Sequence, residues 1–206
     1  MKKKDITICL ILIALLTALI VLINTNKISN IDMFIYNTIH SLFNASFIDI
    51  FKIITFIAST KFMIVFGVVL AILWRRKGRG LMISLTLLSA TLLAHLIKII
   101  VARPRPLYMD AKIAFESTFS FPSGHTCAIT TVVGMFMYFL IKSNLSKRIK
   151  ILLSILGIFI ALSVMISRIY LQVHYFTDIL GGILVALLSI SIFNIIFKKI
   201  VKSPTD

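Results

Sequence analysis

The sequence predicts an all-α, polytopic membrane protein: a six-transmembrane-helix bundle with short interfacial helices on the outer side. Three observations carry this. Of 206 residues, 59% are hydrophobic and only 14% charged, and the mean hydropathy is +1.05, far from the balance of a water-soluble domain. Six apolar runs recur along the chain, each near the ~20 residues a helix needs to cross the hydrocarbon core. Between them, basic residues gather in alternate loops, as membrane topology requires. Residues 1–206 therefore read as a single membrane-embedded domain.

The elements follow in order. MKKKD resembles the charged start of a signal peptide, but the apolar run after it is long and lacks a small-residue cleavage site, so 6–23 is expected to be an uncleaved first span. From Asn24 to Phe51, polar residues including Asp32, His40 and Asp49 alternate with Phe and Ile, the pattern of amphipathic helices lying at an interface. Lys52 and Lys61 interrupt the apolar pattern before a clean run, which places the second span at 60–75, closed by RRKGRG at Arg75–Gly80.

The third span, 81–101, carries His95 and Lys98 in its last turns. A polar loop, Ala102 to Phe121, contains RPRP and leads into Pro122. The fourth span, 123–141, opens with Ser-Gly-His directly after that proline, a helix N-terminus signal. A basic turn, Lys142 to Lys150, precedes the fifth span, 151–167. The polar break SRIYLQVHYFTD, Ser167 to Asp178, then leads to the sixth span, 178–197. Gly181 and Gly182 allow close packing of that span, and no other small-residue pattern specifies an oligomer.

Fourteen of the 22 lysines and arginines fall at the N-terminus, in Arg75–Arg79, in Lys142–Lys150 and in the C-terminal tail, all on one side of a six-span chain. That side is expected to be cytoplasmic, with both termini inside. The polar breaks at 102–121 and 167–178 then share the outer face of a cytoplasmic membrane. The net charge of +15 does not indicate nucleic acid, because the cations are dispersed into short loops rather than gathered on a water-facing patch. Cys9 and Cys127 both lie inside apolar runs, so neither a disulfide nor a metal site is indicated, and no cofactor is expected.

The outer face collects Lys98, Arg103, Arg105, Ser123, Gly124, His125, Arg168, His174 and Asp178. Four permanent cations, two histidines and a carboxylate make the inventory of a phosphate site: guanidinium forks match phosphate oxygens, and a helix starting at Ser123-Gly124 points N–H groups at the same anion. His174 and Asp178 are spaced to share a helical face, so the carboxylate orients one ring nitrogen and leaves the other to attack phosphorus. His125, from another span, is the natural general acid, since imidazole titrates near neutral pH.

Three segments resemble the type 2 phosphatidic acid phosphatase superfamily of membrane lipid phosphatases: KIIVARPRP, FPSGH and SRIYLQVHYFTD, intact and in the family's order. The resemblance covers about the second half of the chain and is similar to its bacterial phosphatidylglycerophosphatase and undecaprenyl diphosphate phosphatase branch. It implies a metal-independent site near the outer leaflet. His174 would be phosphorylated, His125 would supply acid catalysis and Asp178 would support. Lys98, Arg105, Ser123, Gly124 and Arg168 would bind phosphate.

The expected partners are thus a lipid phosphate and the bilayer. The same motifs occur in soluble vanadium haloperoxidases, a function the spans argue against, but one that predicts inhibition by vanadate. A transporter or lipid-binding protein with a vestigial site is the alternative; replacement of His125 or His174 would signal it, and neither is replaced. Arg103 stands outside the motif spacing, and a loop or gate role fits it as well as phosphate contact. His40 reads as structural. So does His95, although it shares the Lys98 face and could tune the site. Lys112 and Glu116 read as a solvated loop pair. Ser167 suggests helix-end capping.

Overall fold

The structure, a computed structural model, describes residues 3–74, 78–106 and 119–200. The basic triplet at 75–77, the Lys112–Glu116 pair and the tail at 201–206 lie outside the described residues. Those described form eight α-helices and a short 3₁₀ turn: α1 (Lys3–Asn24), α2 (Ser29–Leu42), the turn Ala45–Phe47, α3 (Ile48–Phe56), α4 (Thr60–Leu73), α5 (Arg79–Val101), α6 (Gly124–Ile141), α7 (Lys147–Tyr170) and α8 (Phe176–Ile200). Among the described residues, six stretches are long and apolar enough to cross a membrane.

α3 and α4 are separate helices across a short break, and Ala45–Leu73 as a whole forms one long apolar stretch. Lys52, half-exposed on α3, lies 3.5 Å from Asp49 one turn earlier. One boundary differs from those read in the sequence. The fifth span continues through Tyr170, which leaves Ser167 and Arg168 in the last turn of α7 and shortens the polar break to 171–175.

Small residues set the helix contacts, as expected where lipid removes the hydrophobic drive between helices. Ala90 and Ala94 of α5, Val185 and Ala186 of α8, and Leu16, Leu19 and Ile23 of α1 bury one another. A side chain at Gly80 would meet the Leu70 carbonyl at 1.8 Å, and Ser84 Oγ donates to the Gly67 carbonyl at 2.6 Å, so α4 and α5 are pinned together near their connection. At Gly181 a Cβ would strike the Phe121 ring at 2.3 Å, and at Gly182 the Ser123 carbonyl at 2.7 Å, which is the close packing of the sixth span expected from the glycine pair.

The bundle has two chemically different ends. At one, Arg79 lies over the Phe139 ring at 5.8 Å, Lys142 over Tyr138 at 3.9 Å, and Trp74 packs on Phe139, an aromatic and cationic girdle of the kind found at interfaces. At the other, the C-termini of α5 and α7 meet the N-termini of α6 and α8, and α2 and α3 lie against them. Large apolar side chains such as Leu73 (79% exposed) and Ile100 (80%) point outward from the bundle, where lipid would cover them.

Candidate active site

Four elements deliver the polar residues. Ser123 caps α6: its hydroxyl accepts from Thr126 N at 3.4 Å and from Thr126 Oγ1 at 3.0 Å, while its own N–H donates to the Asp178 carbonyl at 3.0 Å. The start of α6 is thereby tied to the start of α8. A Cβ at Gly124 would meet nothing within 4 Å, so the first turn of α6 borders open space. His125 follows and is half-buried, lining the cavity there.

His174 sits just before α8, not within it, so helical spacing does not explain its pairing with Asp178. A capping contact does. Tyr175 occupies the N-cap position and its N–H donates to Asp178 Oδ2 at 2.9 Å, half of a capping box. The carboxylate thus folds back over the helix end, where Oδ2 faces His174 Nδ1 at 3.4 Å. Both residues are buried, at 2% and 0% exposure.

The Arg105 guanidinium donates to the Val173 carbonyl at 2.6 Å and lies 3.4 Å from His174 Nε2. Arginine has only donors, so Nε2 is the acceptor, and the ring proton belongs on Nδ1 facing the carboxylate. The nitrogen with the lone pair is therefore the one directed at Arg105. Arg168, 2% exposed, donates from Nη1 to Thr55 Oγ1 of α3 at 2.7 Å, and its carbonyl accepts from the N–H groups of Val173 and His174. Lys98 Nζ donates to the carbonyls of Phe119 and Ser120 at 2.6 and 3.3 Å, anchoring the segment that enters α6.

Lys98, His95, Gly124, His125 and His174 line one end of a cavity of about 540 Å³. Ala58, Met63, Val68, Leu87 and Thr91 line the rest, between α4, α5 and α6. The cavity reaches Gly67 and Ser84, which the α4–α5 hydrogen bond joins. From Ser84 to Lys98 a helix rises about 21 Å, so a polar head stands over a long apolar trough. Its volume lies within the ~300–1,000 Å³ of ligand pockets.

Arg103 differs from its sequence reading. Its Nη1 donates to Asp178 Oδ1 and to Thr177 Oγ1, each at 2.7 Å, and its Nη2 to Asp32 Oδ2 at 2.8 Å, while its guanidinium lies 3.9 Å over the Tyr175 ring. It is a largely buried bridge between two carboxylates, its side chain 13% exposed. Burial draws its pKa down, but the Asp178 and Asp32 carboxylates outweigh that and hold it above the ordinary value. Burial pushes the Tyr175 phenol up.

Sequence reasoning missed Asp32, which is 3% exposed, and Thr55. One signal for Asp32 was present: in a chain with only seven acidic residues, it falls between Ile31 and Met33, where an unpaired charge is costly. Ser167 is no cap; its hydroxyl donates back to the Val164 carbonyl. His40 stacks on Tyr170 with centroids 5.2 Å apart, a packing role. Among the described residues, no three His, Cys, Asp or Glu side chains gather at metal-ligand spacing.

The PAP2 superfamily model matches residues 79–202, which contain every site segment above except α2, α3, α4 and the short break between α3 and α4. The chain belongs to the PAP2 superfamily. It is 37% identical over 140 residues to phosphatidylglycerophosphatase B of Bacillus subtilis, covering 66% of this chain and 68% of that one. The crystal structure of the transmembrane PAP2 type phosphatidylglycerolphosphate phosphatase from Bacillus subtilis superposes with a TM-score of 0.79 at 29% identity, over 93% of this chain and 96% of the other. Aquifex aeolicus LpxE shares the fold, with a TM-score of 0.58 at 22% identity over 78% and 93% of the two chains. As a PAP2 member with these relatives, the protein is a membrane lipid phosphatase, a hydrolase of phosphoric esters.

Proposed function

We propose that the chain acts as one unit that hydrolyses the phosphomonoester or pyrophosphate of a lipid headgroup through a phosphohistidine at His174, with phosphatidylglycerophosphate the first substrate to test and undecaprenyl pyrophosphate the second. The observation that carries this is the His174 ring: Nδ1 against a buried carboxylate, Nε2 beside a guanidinium, at the polar head of an apolar trough. The name of the Bacillus relative supports the first substrate.

In the first step His174 Nε2 attacks phosphorus, the bond from phosphorus to the lipid oxygen breaks, and His125 gives its proton to the departing oxygen. His125 then takes a proton from water as that water attacks the phosphohistidine. The phosphorus–nitrogen bond breaks and inorganic phosphate leaves. Asp178 stabilises the imidazolium that forms at His174, as the carboxylate of a triad does. Arg105, Arg168, Lys98 and the Ser123-Gly124 helix start neutralise the equatorial oxygens. The lipid chain lies in the trough between α4 and α5.

The site faces outward from a cytoplasmic membrane and both termini face inward, because the basic loops cluster at the opposite end. Purified protein should release phosphate from detergent-dispersed phosphatidylglycerophosphate and be inhibited by vanadate. Retention of full activity in His174→Ala would refute the assignment. For topology, a cysteine introduced at position 110 should react with an impermeant thiol reagent applied from outside intact cells.

A further inference from the structure

Asp32 of α2 ties itself into the N-terminus of α8. Its Oδ1 accepts from the Thr177 N–H at 2.9 Å, and its Oδ2 accepts from Thr177 Oγ1 at 2.9 Å and from Arg103 Nη2 at 2.8 Å. Thr177 N–H is one of the donors that a helix leaves unsatisfied at its start, so a distant helix supplies the cap. Arg103 carries the connection onward to Asp178 Oδ1, the oxygen that does not face His174. Asp32 and Arg103 do not line the His174 cavity; they line a separate one of about 570 Å³ with Asn24, Asn26 and Tyr175. Their polar contacts go to each other, to Thr177 and to Asp178.

We propose that Asp32 is a positioning residue for the phosphatase reaction: it fixes Arg103 and the first turn of α8, and through them holds Asp178 where it orients the His174 ring. A carboxylate is needed because one group must accept three hydrogen bonds, one from a guanidinium, in a buried place. With Asp32→Asn one oxygen becomes a donor. It then opposes either the Thr177 N–H or the Arg103 guanidinium, and Arg103 can turn away from Asp178. The consequence falls on the rate of the chemical step and not on lipid affinity, because a displacement of the dyad by a fraction of an ångström misaligns attack.

The inference rests on the reading of His174 as nucleophile, and the experiment separates the two. Phosphate release and rapid-quench phosphoenzyme formation are measured for the parent, His174→Ala, Asp32→Asn, Asp178→Asn and the Asp32→Asn/Asp178→Asn double variant. Expected is a fall of roughly 10–100-fold in kcat for Asp32→Asn, with KM within about threefold and phosphoenzyme formation in the rapid quench slowed in step with kcat. In the Asp178→Asn background the same change should lower kcat by less than about twofold, since the residue it acts through is already disabled.

An unchanged kcat in Asp32→Asn overturns the proposal, and so does an equal loss in both backgrounds, the mark of a merely structural residue. Full activity of His174→Ala would instead refute the nucleophile assignment. If Asp32→Asn does not yield folded protein, Thr177→Val carries the same comparison, because it removes the hydroxyl shared by Asp32 and Arg103 while leaving both charges in place.

Discussion

Asp178 divides its two oxygens between different tasks: Oδ2 meets the His174 ring and the Tyr175 N–H, and Oδ1 meets Arg103. That division explains why the site holds several cations that cannot substitute for one another. Arg103 belongs to the carboxylates and Arg105 to the imidazole. Replacing Arg103 with alanine leaves Asp32 and Asp178 buried without their shared counterion, which is expected to cost about 3–5 kcal/mol and to appear as a lower unfolding temperature in detergent. Replacing Arg105 with lysine keeps charge but loses the fork; kcat/KM for lipid phosphate should fall about 10²-fold. For His125→Ala the expected loss is about 10²–10⁴-fold in kcat, measured best with an alkyl ester, whose poor leaving group needs the acid. A substrate with a nitrophenolate leaving group should be much less affected.

At the scale of elements, the starts of α6 and α8 are built as one unit. Ser123 N–H bonds the Asp178 carbonyl, and Gly182 lets α8 approach the Ser123 carbonyl. Gly182→Ala should therefore lower stability by about 1–3 kcal/mol, read from thermal unfolding, because a backbone oxygen cannot swing aside as a flexible side chain can. The sequence made these helix starts legible through Pro122, Ser123 and the break after Arg168, since capping signals are local. It made the His174–Asp178 pair legible by spacing, although the contact arises from a capping box and not from a shared helical face. Asp32 was not legible in the same way: its partners Arg103 and Thr177 lie 71 and 145 residues further along the chain.

Across the whole molecule, chemistry and lipid access are separated along the bundle. The α4–α5 contact at Gly67 and Ser84 lies at one end of the trough, and the polar head with His125 and His174 occupies the other. Thr91, about midway along α5, lines this trough, and its hydroxyl donates to the Leu87 carbonyl within its own helix. Thr91→Phe should thus raise KM for a long-chain lipid phosphate several-fold while leaving turnover of a water-soluble phosphate ester nearly unchanged. Equal effects on both substrates would mean that the chain lies elsewhere.

The central claim is covalent catalysis by His174. Mixing the enzyme with a lipid phosphate labelled in the phosphoryl group, quenching within the first turnover and mapping the labelled peptide tests it directly. The account predicts an acid-labile, base-stable phosphoryl group on His174, formed at least as fast as phosphate is released and absent from His174→Ala. Label on any other side chain, or phosphate release from His174→Ala at the parent rate, would contradict it.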